Sequence, residues 1–307
     1  VVDGVIQADQ RIDLQGGVNA SGIGIVLTEL VVQTDSEGNH LNEEGHPIDR
    51  DGFLIGEVGG ERVWVDEIGD PIPAGGSPLY GGESVRLSGG TLITGVDGVI
   101  NLTAEQDILL LGMVGQVYEL NDLPAVDVAA VNIESTTGDV LAYKLINSRD
   151  AINIEAQNIA ILGDALVKTR HEGSEVYFRA QDTILVERSP LIADRAKVQA
   201  ADLVHFYAGN IEVDGSLFAA DSGARVVLNS VDDITVSGDI VSLGDIELNA
   251  GVPQGLAQST SEAGGFALAD LETGSIYLED EAVLDAANDI VLRAADDAQL
   301  LARAVMG

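Results

Sequence analysis

Along this chain, aliphatic and polar residues alternate at period two in short runs, and one phrase opens most of them. It is a small polar residue, then Asp or Asn, then aliphatic–x–aliphatic. Copies are Gln106-Asp107-Ile108-Leu109-Leu110, Gln157-Asn158-Ile159-Ala160-Ile161 and Gly209-Asn210-Ile211-Glu212-Val213. Later come Asp232-Asp233-Ile234-Thr235-Val236, Gly244-Asp245-Ile246-Glu247-Leu248 and Asn288-Asp289-Ile290-Val291-Leu292. Related runs at Val99–Leu102, Val176–Phe178 and Val226–Leu228 lack the acid. This alternation, with β-branched residues inside and Gly, Asn or Asp at the flanks, predicts short strands joined by tight turns.

Spacing then selects the architecture. Strand starts pair as 100/108, 152/159, 176/184, 204/211 and 226/234, always 7 or 8 residues apart. Third members fall at Leu166, Leu191, Leu217 and Ile240, and the leading strands recur every 20 to 28 residues from Ile152 to Ile246. No segment of helical period lies between them to build βαβ units. A repeat of this size made of strands alone predicts a mainly parallel solenoid with about three strands per coil. About a dozen coils, roughly 60 Å, would follow from the strand spacing. Inward Ile, Val and Leu would stack into ladders, and Ala104, Ala156, Ala180, Ala250 and Ala294 would close strands where the section is narrow. The Asp or Asn before each strand is expected to hydrogen-bond local backbone at a corner. Tyr177-Phe178 and Phe206-Tyr207 stand at equivalent places in neighbouring coils.

One region breaks the pattern. Residues 33–82 hold four of the seven prolines, the only Trp and two of the four His. Asn42–Ile48 and Asp66–Ile72 share a polar–acid–x–Gly phrase, with a looser third copy at Asp35–Leu41, and Gly59-Gly60 separates two β-prone runs. These are hairpin signals. The expected organisation is 1–32 as the first solenoid coils, 33–82 as a β-hairpin insertion and 83–307 as the main solenoid. A Gly/Ser/Ala-rich loop excursion is expected at about 251–274.

Composition narrows the partners. Lys+Arg 15 against Asp+Glu 51 leaves a net charge of −36, so no nucleic-acid partner is expected, since phosphate backbones are held by Lys and Arg. The 46% hydrophobic content is enough for a large core and speaks against disorder. Cysteine is absent, which removes disulfides and thiol chemistry together. The longest near-apolar stretch, Ile108–Tyr118, is too short for a membrane-spanning helix. Outward acids such as Glu212, Glu247 and Glu279 alternate with the aliphatic positions, which makes the charge a property of the rod's skin.

The phrases Gly238-Asp239-Ile240, Gly244–Ala250 and Asn288–Ala294 resemble the filamentous-haemagglutinin-like large exoproteins and adhesins of bacteria. The likeness covers roughly Val85 to the C-terminus together with Val1–Thr28. It implies an all-β, right-handed parallel β-solenoid (β-helix), here with the β-hairpin insertion, secreted to the extracellular space or cell surface. It implies a stalk, fibre or adhesive surface with a cell-surface or carbohydrate ligand. The opening Val1–Ile6 reads directly as a rung and Leu300–Val305 offers no polar cap. The chain is therefore expected to continue in a longer protein, or to stack end to end into fibres.

Candidate chemistry is sparse. The adjacent acids Asp232-Asp233 and Asp296-Asp297 would suit a polysaccharide lyase or glycosidase. Only Lys144, Lys168 and Lys197 stand among the lysines, with Arg195 near the last, and twelve aromatics give few sugar platforms. Solvated turns are the simpler reading, so no enzyme is expected. The alternatives are a polysaccharide-processing β-helix enzyme or a carbohydrate-binding, tailspike-like module. His40 and His46 fall in hairpin turns, while His171 and His205 stand alone, so none has metal-pair spacing. Asp49 and Asp51 supply the Asp-x-Asp-Gly core of a calcium loop. However, Pro47 occupies the place of the first ligand and Val58 that of the closing acid. No cofactor is expected beyond Ca2+ bound loosely by stacked surface acids, which repel one another at about 4.8 Å unless screened.

Overall fold

Inward aliphatics at every second residue let each short strand bury one face, and the structure stacks those faces. A computed structural model describes residues 5–8, 10–17, 23–27, 31–32, 40–41, 46–48, 54–58, 61–66, 70–73, 86–88, 91–94, 97–115, 128–188, 196–253 and 271–300. The described elements are all strands, in two compact units, Val1–Leu27 with Gly90–Gly307 and Thr28–Gly89.

The first unit is solenoid-like: parallel strands lie in three rows, and the chain visits the rows in turn. One coil runs through Lys197–Ala200, Leu203–Ala208 and Asn210–Val213, and the next through Ser216–Ala219, Arg225–Ser230 and Ile234–Val236. Row one is a nine-stranded parallel sheet from Val5–Ala8 to Val283–Ala286. Rows two and three merge into a 16-stranded sheet, because Ala151–Ile161 and Glu175–Val186 each turn the corner between them as one strand. Register is residue-for-residue along most of the stack, as in Val204↔Val226 and Val226↔Ile246.

The nine described rungs of row one give a stack of about 40 Å at the strand spacing, shorter than the sequence suggests. The reason is longer coils: Met113 to Ile146 is 33 residues and Asp239 to Val283 is 44. The row-one strand expected near Leu191 is Lys197–Ala200, and Leu191 itself lies outside the described residues. Those at Leu166, Leu217 and Ile240 stand as expected.

One large hydrophobic core runs through the described stack, with Ile100, Ile152, Val176, Val204 and Ile246 fully buried in one column. In the next column Phe178 and Phe206 stack nearly parallel, ring centroids 4.8 Å apart at 7°. Tyr177 does not meet Tyr207. Register sets it against His205, edge to face at 5.2 Å, because the two aromatic pairs are in opposite order along their strands.

The recurrent phrase acts between coils rather than locally. Asp107 Oδ1 accepts the Asp139 backbone N–H at 2.8 Å, and Asp139 Oδ1 accepts that of Asn158 at 3.1 Å. The series goes on with Asn158 to Thr183 (3.1 Å), Asn210 to Asp233 (3.3 Å) and Asp233 to Ser275 (2.8 Å). Each corner oxygen thus satisfies an N–H of the following coil, and a neutral Asn serves as well as Asp. The preceding glycine is fixed by crowding: a Cβ on Gly209 would lie 2.6 Å from the Asp182 carbonyl oxygen. One on Gly244 would lie 2.1 Å from that of Ala224.

In the second unit every described pairing is antiparallel. Val31–Val32 pairs with Arg86–Ser88, His40–Leu41 with Pro47–Ile48, and Ile55–Val58 with Glu61–Trp64. Within the phrase at Asp66–Ile72, the Asp66 N–H donates to Asp70 O and the Asp70 N–H to Asp66 Oδ1, both at 2.9 Å. Ile48, Leu54 and Val65 form its small core. The unit spans Thr28–Gly89, and Val31–Val32 and Arg86–Ser88, which pair with each other, belong to it.

Candidate functional site

In row two, residues on either side of each inward aliphatic point outward, and register stacks them into two parallel columns. The first runs Asp13, Asn101, Asn132, Asn153, Tyr177, His205, Val227, Glu247. The second runs Gln15, Thr103, Glu134, Glu155, Arg179, Tyr207, Asn229, Asn249, Arg293.

The early rungs carry an amide ladder. Asn153 Nδ2 donates to Asn132 Oδ1 at 2.9 Å, Asn132 Nδ2 to Asn101 Oδ1 at 2.9 Å, and Asn101 Nδ2 to Asp13 Oδ1 at 2.7 Å. The Asn101 bond and then the Arg11 side chain hold the Asp13 carboxyl below the usual carboxylate range. Beside the ladder Glu134 and Glu155 are register neighbours, and Arg179 lies 3.7 Å from Glu155. Over these rungs a depression of about 580 Å³ shares Arg11, Asn101 and Asn132 with one of about 630 Å³, and Glu134 and Glu155 with another of about 230 Å³.

The later rungs carry a relay. Arg293 Nη1 donates to Asn249 Oδ1 at 3.0 Å, Asn249 Nδ2 to Asn229 Oδ1 at 2.8 Å, and Asn229 Nδ2 meets His205 Nε2 at 3.0 Å. With these amide orientations Nε2 is the acceptor, so the imidazole is neutral with its proton on Nδ1. Burial pushes His205 down to about 4, helped by Arg225 and opposed by Glu247. Burial also raises the Tyr177 and Tyr207 hydroxyls. Arg293 reaches Glu247 as well, closing the relay on a carboxylate.

The residues singled out from the sequence are placed apart. Asp49 and Asp51 lie outside the described residues, although their neighbours Ile48 and Leu54 bridge antiparallel. Asp233 is committed to a corner, and Asp296 Oδ2 accepts the Gly274 N–H at 3.2 Å. Lys144 pairs with Asp164 at 3.3 Å on the surface. His171 lies 3.7 Å from Asp150, far in sequence from buried His205, and Arg195 is outside the described residues. Among the described residues no group of three His, Asp or Glu is placed to hold a metal. Of the outward acids, Glu212 is exposed while Glu247 is drawn into the relay. The ladder escaped the sequence reading, yet Ile100-Asn101-Leu102, Val131-Asn132-Ile133 and Ile152-Asn153-Ile154 carry the signal, an Asn repeated at one phase.

The described residues thus define an all-β protein of parallel, solenoid-like build that carries a polar groove over the early rungs of row two. The chain matches no protein-family model, no curated protein and no solved structure.

Proposed function

We propose that this chain is an extracellular structural or adhesive β-solenoid, right-handed and of the filamentous-haemagglutinin-like kind. It serves as a stalk or fibre subunit, by end-to-end stacking or as a segment of a longer adhesin. The right hand follows from the strong steric preference of parallel strand connections. The observation that supports this reading most is the residue-for-residue parallel register that carries the aliphatic columns through the described rungs, since a stack of this kind extends by adding rungs of the same build. The acid skin keeps the sides mutually repulsive, which favours growth at the ends over lateral clumping. Ca2+ associates diffusely where acids are register neighbours, as at Glu134 and Glu155. Electron microscopy of the full-length protein tests this reading. Elongated stalks or filaments are expected, and a field of short, discrete particles would count against it.

A further inference from the structure

The early rungs of row two offer hydrogen-bonding capacity that the described residues do not use. Asn101 and Asn132 each spend one N–H and one oxygen lone pair along the ladder. An amide has two of each, so every ladder residue keeps a donor and an acceptor for the outside. Glu134 and Glu155 project from the neighbouring column and are exposed. Among the described residues Glu155 lies 3.7 Å from Arg179, too far for a hydrogen bond, which leaves most of its acceptor capacity open. The amide column ends on the half-buried Tyr177 ring.

These groups recur rung by rung. Asn101 stands with Thr103, Asn132 with Glu134, Asn153 with Glu155 and Tyr177 with Arg179, over about 20 Å from Asp13 at the strand spacing. A ligand matched to this face presents groups that donate and accept at once, at regular intervals, with apolar faces between them for a ring. Hydroxyls on a chain of sugar rings have that character. Asp13, Glu134 and Glu155 line the groove of a protein with net charge −36, so sulfated or uronic chains are repelled.

We propose that the groove over Asn101, Asn132, Asn153, Glu134 and Glu155 binds a neutral oligosaccharide laid along the stack. The site deepens the adhesive part of the reading above and rests on it only there, since a discrete particle with this groove would bind equally well.

The test is an array carrying cellohexaose, maltohexaose and chitohexaose beside sulfated and sialylated oligosaccharides, probed with the fluorescently labelled full chain. At least one neutral hexamer is expected to bind. The exposed pair Glu134→Gln with Glu155→Gln, and separately Asn132→Ala, are expected to weaken it tenfold or more, while Glu212→Gln on row three leaves it unchanged. Melting curves report whether Asn132→Ala folds, and the glutamine pair, altering only exposed side chains, carries the test if it does not. Binding confined to the acidic glycans, binding indifferent to the glutamine pair, or no binding to any neutral hexamer would each overturn the assignment. Filaments seen by microscopy without glycan binding would sink this site and leave the fibre reading standing, and the converse result would do the reverse.

Discussion

Asp233 Oδ1 accepts the backbone N–H of Ser275 at 2.8 Å, although 42 residues separate them in sequence. The row-two strand ends at Ala250 and the row-three strand begins at Ile276, with the expected loop at about 251–274 lying largely outside the described residues, yet the corner bond made elsewhere by adjacent coils forms here too. The phrase therefore sets register even where the chain does not run directly.

Asp233→Ala removes the acceptor and leaves a corner N–H to find water. A loss of about 1–2 kcal/mol is expected in urea unfolding. Asp233→Asn keeps the oxygen and is expected to cost little, because Asn158 and Asn210 perform the same task. Equal losses for both variants would show that charge, rather than the carbonyl-like acceptor, matters at the corner.

Glycine in the phrase answers to the neighbouring coil's backbone. Gly244→Ala would push a methyl to within 2.1 Å of the Ala224 oxygen, and overpacking of this kind costs about 1–3 kcal/mol. Gly17 has open space around its Cβ position, so Gly17→Ala is expected to leave the calorimetric melting temperature nearly unchanged.

His205 makes stability depend on acid. Its folded pKa, about 4, lies below its ordinary value of 6.5, so the unfolded chain takes up the proton first as pH falls. The neutral form's contribution is complete above pH 6.5 and is lost as pH drops toward 4, by up to about 1.4 kcal/mol per pH unit. Replacing His205 with Gln should flatten that window in urea titrations. An unchanged slope between wild type and His205→Gln would remove the histidine from the acid response.

Screening of the acid skin gives a different dependence. Asp107 with Asp139, and Glu134 with Glu155, are like-charged neighbours on successive rungs. At low ionic strength, chelator is expected to lower the melting temperature, and either Ca2+ or simple salt to restore it. Indifference to chelator and to salt alike would show that the spacing of acids already suffices.

Period-two alternation and the 7-or-8 offset made the rows legible in the sequence, since both reflect strands that bury one face and turn at once. The starts at Ile100, Ile152, Val204 and Val226 each fall in row two as expected. Coil count was less legible, because a coil can lengthen at a corner, as between Asp239 and Val283, without disturbing any strand. The local pattern points each Asp or Asn to its own turn, whereas its actual partner, one coil away, is set by stacking that no local pattern encodes. The outward columns were the hardest part. Asn132 and Asn153 are ordinary polar residues until register places them one above the other. His205, alone in sequence, becomes the buried end of a relay only through Asn229 and Asn249.

All of these features depend on coil-to-coil register, and the absence of native cysteine makes that register directly measurable. In the pair Asn132→Cys with Asn153→Cys, the two positions are in-register neighbours on parallel strands, within reach of a disulfide. In Asn132→Cys with Glu155→Cys the same strands are offset by two residues, which takes the Cα atoms to about 8 Å, beyond that reach. Under mild oxidation, free-thiol titration should show the first pair closing rapidly within the monomer while the second stays reduced. Equal oxidation of both pairs, or closure of the offset pair alone, would contradict the stacked register.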